Sequence, residues 1–445
     1  MRHVTLASVL LVLIAVASAT AIGQIQTLPT IAPANLRVAH WREDLKVLVS
    51  GLQRTGYKVD FQHGLYTLGQ KDFTKLYPKA SFDPAISSLQ ADLPNLSDDE
   101  VVMRLMRLIA SAGVAHNSVA VPLDKGAFKR LPLVFHWYSD GLAVDSSPAD
   151  YNEARRSRVL AIGNMTPEKL LAELTPYIPH ENDAWVHQQA AEYLVRSEIL
   201  RHFGLVSAEG QVSLTLQKPN RGIFKVSVGL VDPHDPVSLV TFTTPAFAKA
   251  ISVPTPIFRS HPEENYYWYQ YLTDQNALYI QYLQCASDPK QPFADFARKV
   301  LAEADAHPQS RVVIDMRFNG GGDDRIIGPL KSGLASRLKR LGQVYVLIGP
   351  GTFSSGVDNA IDLRQDLKAS LVGEPTGGSP RAYGGIMPIV LPNSRIIVWY
   401  STNLEGPGLN IRTPSLEPDR LVRYSFEDAR AGRDPLLEAA LGKFP

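Results

Sequence analysis

Past Tyr266 the hydrophobic pattern of the chain switches repeatedly between two periods. Short apolar runs predict strands at Ala277–Leu283, Arg311–Met316, Val344–Ile348 and Ser370–Val372. Between them, apolar residues recur at helical spacing over Phe293–Ala306, Asp324–Leu341 and Gly356–Leu367. Two more strands are expected at Ile386–Leu391 and Arg395–Tyr400. Alternation of this kind predicts an α/β sheet with crossover helices. Upstream the pattern is different. From Trp41 to about Val119 it is helical, as in Glu43–Leu52 and in Asp98–Ala110, whose N-terminal acids suit the helix macrodipole. Residues 120–250 carry short β-like runs, among them Pro132–Tyr138, Gly141–Asp145, Val159–Ile162, Val212–Leu216 and Ile223–Val228. Pro219-Asn-Arg-Gly222 is a hairpin signal between the last two, and helices are expected at Thr166–Leu174 and Ala184–His202. The domains predicted are a segment 1–21, a linker 22–40, a helical domain 41–125, a β-rich module with inserted helices 126–250, and an α/β domain 251–445.

Segment 1–21 has its own logic. Arg2 and His3 precede a nearly unbroken apolar run, Val4–Val16, and Ala17-Ser-Ala19 and Ala19-Thr-Ala21 follow it. A basic head, a short apolar run and a small-x-small site describe a secretory signal peptide. A membrane-spanning helix needs about 18 or more apolar residues. The protein is therefore expected to be exported, to the periplasm or the extracellular space, with no integral membrane anchor after cleavage. Lys plus Arg number 45 against 44 Asp plus Glu, a net charge of +1. That balance supplies no basic field for nucleic acid. Cys285 is the single cysteine, so the 445-residue chain has no intramolecular disulfide and rests on its core. Its strand-like setting predicts a buried structural thiol.

Two strand-to-helix turns hold the candidate chemistry. In Arg311-Val-Val-Ile-Asp-Met-Arg-Phe-Asn-Gly-Gly-Gly322 an apolar strand breaks into three glycines. In Val344-Tyr-Val-Leu-Ile-Gly-Pro-Gly-Thr-Phe-Ser-Ser-Gly356 a second strand ends in a serine pair before a helix. Parallel strands joined by right-handed crossovers leave both turns at one edge of the sheet. Unencumbered glycine amides would then lie beside a hydroxyl at a helix N-terminus, pairing an oxyanion-binding loop with a nucleophile. The glycines match neither a dinucleotide fingerprint nor a phosphate loop. Their plain reading is a permissive turn, and that of Ser354 and Ser355 is a helix cap.

The run Ile314–Gly322, then Gly351–Gly356, then Leu371-Val-Gly-Glu-Pro-Thr-Gly-Gly378 resembles the tail-specific (C-terminal-processing) serine proteases, relatives of the tricorn protease core and of interphotoreceptor retinoid-binding protein. Asp99–His116 is similar to that family's helical N-terminal segment, and Gly141–Leu174 to its PDZ-like module. Gly432–Ala440 is similar to its C-terminal ending. The resemblance implies a crotonase-like α/β core with crossover helices, behind a helical domain and a PDZ-like module. It implies Ser354 as nucleophile, the amides of Gly321 and Ser355 as oxyanion hole, a peptide or protein substrate, and neither metal nor cofactor. Where the bacterial processing proteases carry a lysine base, this chain has Ser379. His116 stands where tricorn-type relatives place a histidine base. The position of its orienting carboxylate holds Arg412, with Glu405 and Glu417 out of register. Val114 and Val357 replace the family's usual Asp and Glu.

Two readings of His116 follow: general base of Ser354, or a histidine hydrogen-bonded to backbone with no proton to move. Two readings of the whole follow as well. One is an exported serine-type peptidase. The other is a catalytically inactive relative that binds a peptide or an apolar ligand. His180 and His187, seven positions apart, do not fit a zinc helix and read as surface residues. The oligomeric state is open.

Overall fold

A computed structural model describes residues 34–53, 57–61, 64–68, 73–122, 128–233, 240–241 and 254–442. The expected signal segment and most of the expected linker lie outside the described residues. The helical segment begins with α1 (Ala34–Leu52), α2 (Lys79–Asp92) and α3 (Asp98–Ala110). Helix α3 starts sharply because Ser97 and Glu100 form a reciprocal capping box, a motif that satisfies two otherwise orphaned amides. Its buried face carries Val101, Val102, Leu105, Met106, Leu108 and Ile109. A short strand, β1 (Ser118–Ala120), follows.

Five antiparallel strands come next: β2 (Val134–Tyr138), β3 (Gly141–Ser147), β4 (Arg158–Ile162), β5 (Gln211–Gln217) and β6 (Ile223–Gly229), paired in that order. Helix α4 (Pro167–Leu174) is capped by Thr166, which accepts from Lys169 N–H. The expected helix over Ala184–His202 is divided into α5 (Asp183–Tyr193) and α6 (Ser197–His202). Between them the backbone pairs elsewhere: Leu131 N–H donates to the Val195 carbonyl at 2.8 Å, and Arg130 bridges Arg196. One apolar cluster runs from Trp41 in α1 through α3 to Leu216 and Val228, so helices and β module share a core.

The main sheet has six strands in the order β7 (Tyr267–Leu272), β8 (Ala277–Tyr282), β9 (Arg311–Asp315), β10 (Val344–Ile348), β11 (Ser370–Gly373) and, after the excursion described below, the short strand Arg420–Leu421. Strand β7 is antiparallel to β8, and the remaining pairs are parallel. The parallel strands march in one direction across the sheet. Right-handed crossovers then place every connecting helix on the same face. Helices α7 (Phe293–Ala306), α8 (Gly328–Ala335) and α9 (Ser355–Asp366) do share one core, with Leu278, Ile280, Val312, Ile314, Val346 and Leu371. The alternate residues Tyr279, Val313, Leu347 and Val372 face a second cluster, closed by the C-terminal residues Phe426 and Leu436. The expected helix Asp324–Leu341 is shorter, with a 3₁₀ turn at Asp324–Ile327 before α8. The strands Met387–Val390 and Ile397–Tyr400 lie outside the main sheet as an antiparallel hairpin, and Ile397–Tyr400 also pairs with β1, which ties the helical segment to the C-terminal half.

A buried ion network sits at the end of β9. Arg317 donates from Nε to Asp315 at 3.0 Å and holds Asp434 through both terminal nitrogens, at 2.9 and 3.0 Å. Tyr279 donates its hydroxyl to Asp315 at 2.6 Å. Burial works against the Arg317 charge, but Asp315 and Asp434 outweigh it and hold the guanidinium protonated. Asp434 also caps the helix Pro435–Ala440 by accepting from Leu437 N–H. Removing one partner of a buried pair strands the other charges. Arg317→Leu is expected to destabilise the fold by about 3–5 kcal/mol, read as a lowered urea midpoint at unchanged slope.

Candidate active site

Both strand-to-helix turns lie at the C-terminal ends of neighbouring parallel strands, and they touch. Phe353 N–H donates to the Asn319 carbonyl at 2.9 Å, and Ser355 Oγ donates to the Gly322 carbonyl at 2.7 Å. Thr352 Oγ1 donates to the Met316 carbonyl at 2.9 Å. Gly321 has φ +99°, and a Cβ built there would lie 2.6 Å from Ser354 Cβ and 3.0 Å from Ser355 N. Only glycine allows that approach and that dihedral together. From the other side, a Cβ on Gly378 would lie 3.0 Å from Ser354 N, so the loop bearing Ser379 packs over the same turn.

Ser354 itself adopts φ +51°, ψ −133°, outside the ordinary basins of an L-residue. It stands at the N-terminus of α9, yet its side chain caps no amide, which sets aside its plain reading as a helix cap. The residue is half-buried, so its hydroxyl is not sealed in the core. Strain of this kind persists only where surroundings over-determine it, and such residues cluster at functional sites. The amides around the serine differ in availability. Gly356 N–H donates to Phe353 and Val357 N–H to Ser354, which leaves the Ser355 N–H without an acceptor among the described residues. Gly321, expected as a donor, has its N–H engaged by Asn319 Oδ1 at 2.9 Å. In the same loop it is Gly322 whose N–H has no acceptor among the described residues, and the role of Gly321 is to have no side chain.

Cys285 clamps this loop from below. Its N–H donates to the Gly321 carbonyl at 2.9 Å, and its carbonyl accepts from Asp323 at 2.7 Å. The thiol lies against Asn319 Oδ1 and Asn359 Oδ1, at 3.4 and 3.3 Å. Burial pushes it up to about 12, far from a thiolate at neutral pH.

His116 follows α3 in a turn held by Asn117, whose Oδ1 accepts from Ser401 N–H at 2.8 Å. The imidazole packs on Phe353, the residue before Ser354, with ring centroids 4.5 Å apart. Trp185 stacks on that phenylalanine too, at 4.0 Å and 14°. Part of the His116 residue is exposed, but both ring nitrogens are buried and neither has a hydrogen-bond partner. The histidine is thus not anchored to backbone, and it does not hydrogen-bond Ser354 in this structure. Burial lowers it to about 4, so the ring is neutral at pH 7, the form a general base needs. Catalytic hydrogen bonds are often long without substrate and tighten in the complex.

Arg412 and Glu417 are exposed, and Asp419 is occupied by Leu371 N–H and Arg364. One carboxylate that the sequence does not single out enters instead. Glu181 Oε1 accepts from Ala115 N–H at 2.9 Å, one residue before His116. No periodicity or motif flags it, because its proximity is purely tertiary. His180 and His187 are partly exposed and bond to the carbonyls of Ile178 and Asp183. Among the described residues no group of three or more His, Cys, Asp or Glu side chains could hold a metal ion, and no helix is long and apolar enough to cross a membrane.

The fold is similar to that of mature CPAF complexed with lactacystin, with a TM-score of 0.61 and 14% identity over 92% of this chain and 98% of that one. Mature CPAF alone aligns at 0.60 and 13%, over 90% and 96%. The photosystem II D1 C-terminal processing protease aligns at 0.42 and 13%, over 88% and 98%. No family model and no curated protein matches the sequence. The structural neighbours are tail-specific protease relatives, the family that the motifs resemble. At such identities the likeness establishes the fold.

Two outcomes are expected. Gly321→Ala should cost more than about 1 kcal/mol, since alanine is strained at positive φ. Gly328→Ala, with open space around its Cα, should not; urea midpoints of the two variants make the comparison. The second outcome concerns acid. An unfolded histidine titrates near 6.5 and folded His116 near 4, so the unfolded chain takes up the proton first. His116 therefore costs no stability above pH 6.5 and roughly 3 kcal/mol by pH 4. His136, lowered to about 4 chiefly by burial, behaves alike. His116→Phe should flatten about half of that acid loss, measured by urea unfolding between pH 7 and 4.

Proposed function

We propose that this chain is an exported serine-type peptidase of the tail-specific type, with Ser354 as nucleophile and His116 as general base. The observation that carries this reading is the packing of the Gly321 backbone directly against Ser354, which leaves the Ser355 amide open beside a strained, half-buried hydroxyl. A strained residue at a strand-to-helix turn presents its side chain outward, as a nucleophile requires. In the reaction, a ring nitrogen of His116 takes the Ser354 proton while Oγ bonds to a peptide carbonyl carbon. The resulting oxyanion is held by Ser355 N–H together with an amide of the glycine loop, for which Gly322 is the open donor. The imidazolium then protonates the leaving amine as the C–N bond breaks. Water, deprotonated by the same ring, releases the acyl group and restores Ser354.

In this reading the α/β domain is crotonase-like and the β2–β6 module PDZ-like. The module would seat a peptide by strand addition. Export rests on the N-terminal Arg2–Ala21 pattern. The alternative, a non-catalytic binder, is favoured by one observation: neither His116 nitrogen is hydrogen-bonded to Ser354.

A fluorophosphonate probe separates the two. Covalent labelling of the wild type that vanishes in Ser354→Ala is the expected result. His116→Ala should slow it at pH 7 on the order of 10²- to 10⁴-fold without changing the unfolding midpoint by more than the cavity term. A folded wild type that stays unlabelled over a broad pH range would overturn the peptidase and support the binder. Full labelling in His116→Ala would remove His116 as base.

A further inference from the structure

Glu181 lies just ahead of α5 and has its two carboxylate oxygens in different situations. Oε1 accepts the Ala115 amide at 2.9 Å, which fixes the turn that carries His116. Oε2 is buried and has no hydrogen-bond partner, and the same is true of both His116 ring nitrogens. An unmet buried polar atom costs about 1–3 kcal/mol, so such orphans are uncommon in a folded protein. These are also complements: a carboxylate accepts, and a neutral imidazole always carries one N–H.

The surroundings bring Glu181 to the serine turn as well. Asn182, the next residue, donates to the carbonyls of Gly377 and Pro414 at 3.0 and 2.9 Å. It thereby pins this segment to the loop over Ser354 and to the stretch just past Arg412. Trp185 and His116 both rest on Phe353. Ala115, whose amide Glu181 holds, packs with Trp185 and Phe353, so Glu181 reaches the phenylalanine that precedes Ser354 through the turn that carries His116. Burial raises the Glu181 carboxyl to about 7, so it is only partly ionised at neutral pH, and an N–H donor on its free oxygen would favour the charged form.

We propose that Glu181 is a positioning residue for His116, whose free oxygen accepts the imidazole N–H remote from Ser354 when substrate is bound. The inference rests on the peptidase reading above and deepens it. During acylation the Ser354 proton passes to one ring nitrogen. The other ring N–H stays hydrogen-bonded to Glu181, which fixes the tautomer and stabilises the imidazolium. The proton then leaves with the amine, and Glu181 carries the same charge throughout.

The test compares fluorophosphonate labelling rates of the wild type, Glu181→Gln and Glu181→Asp at pH 8. Glutamine keeps an acceptor for Ala115 and the shape of the side chain but not the charge. It should label on the order of 10²-fold more slowly or worse, with an unfolding midpoint close to wild type. Aspartate, which keeps the charge, should label faster than glutamine. A glutamine variant that labels at the wild-type rate overturns the proposal, because accepting the Ala115 amide is then all that Glu181 does. Failure of the wild type itself to label is a different result, and it removes the peptidase reading together with this role. As a check that needs no variant at the buried site, the phosphonylated wild type should show a downfield His116 N–H by ¹⁵N NMR. The absence of that signal also overturns the proposal.

Discussion

Arg317 is a cation in the interior, and the geometry of the site depends on how its charge is met. A guanidinium so deeply buried is tolerable only with carboxylates and hydrogen bonds on every side. Asp315 supplies one from the strand that carries Arg317, and Asp434 supplies the other from the C-terminal segment. The cation also lies over the Phe258 ring at 4.6 Å. These contacts fix where β9 ends and the glycine turn begins, and they fasten the last helices beneath it. The second turn then packs on the backbone of the first: a Cβ on Gly351 would lie 2.7 Å from the Arg317 carbonyl.

That frame explains how Ser354 can hold a dihedral that most residues avoid. The strain costs of order 1–3 kcal/mol and is opposed by bonds on both flanks. Phe353 N–H is held by Asn319, Gly378 N–H by the Thr352 carbonyl, and Thr352 Oγ1 links Gly349 to Met316. Stability is spent in the same small region on a buried histidine with both nitrogens unmet and on a carboxylate oxygen with no partner. Local violations of this kind, gathered near one turn, are expected at functional sites more than elsewhere.

Much of the architecture could be read from residue order because it rests on local signals. Helix α3 follows from its capping box and apolar spacing, and α7 occupies Phe293–Ala306 as periodicity predicts. The parallel strands are apolar runs bounded by turn residues. Elements went astray where a tertiary partner outcompeted the local pattern. The α5–α6 break exists because the Val195 carbonyl accepts from Leu131 N–H and Ser197 N–H donates to the Lys129 carbonyl, which sets Arg196 opposite Arg130. The hairpin at Met387–Tyr400 has ordinary strand character, and only its pairing with Ser118–Ala120 decides which sheet it joins.

The sequence by itself determined the two turns, their shared edge and the serine between them, since strand period, glycine placement and crossover handedness are properties of short segments. It singled out His116 by resemblance and Cys285 as a buried thiol. Tertiary structure decided which amides stay open: Asn319 engages the Gly321 N–H and leaves that of Gly322 without an acceptor among the described residues, and the Ser355 N–H likewise has none. It alone brought Glu181 beside His116, across a separation that no local pattern spans. Contacts between distant segments are set by how whole layers pack, and hydrogen-bond partners within them follow from that packing.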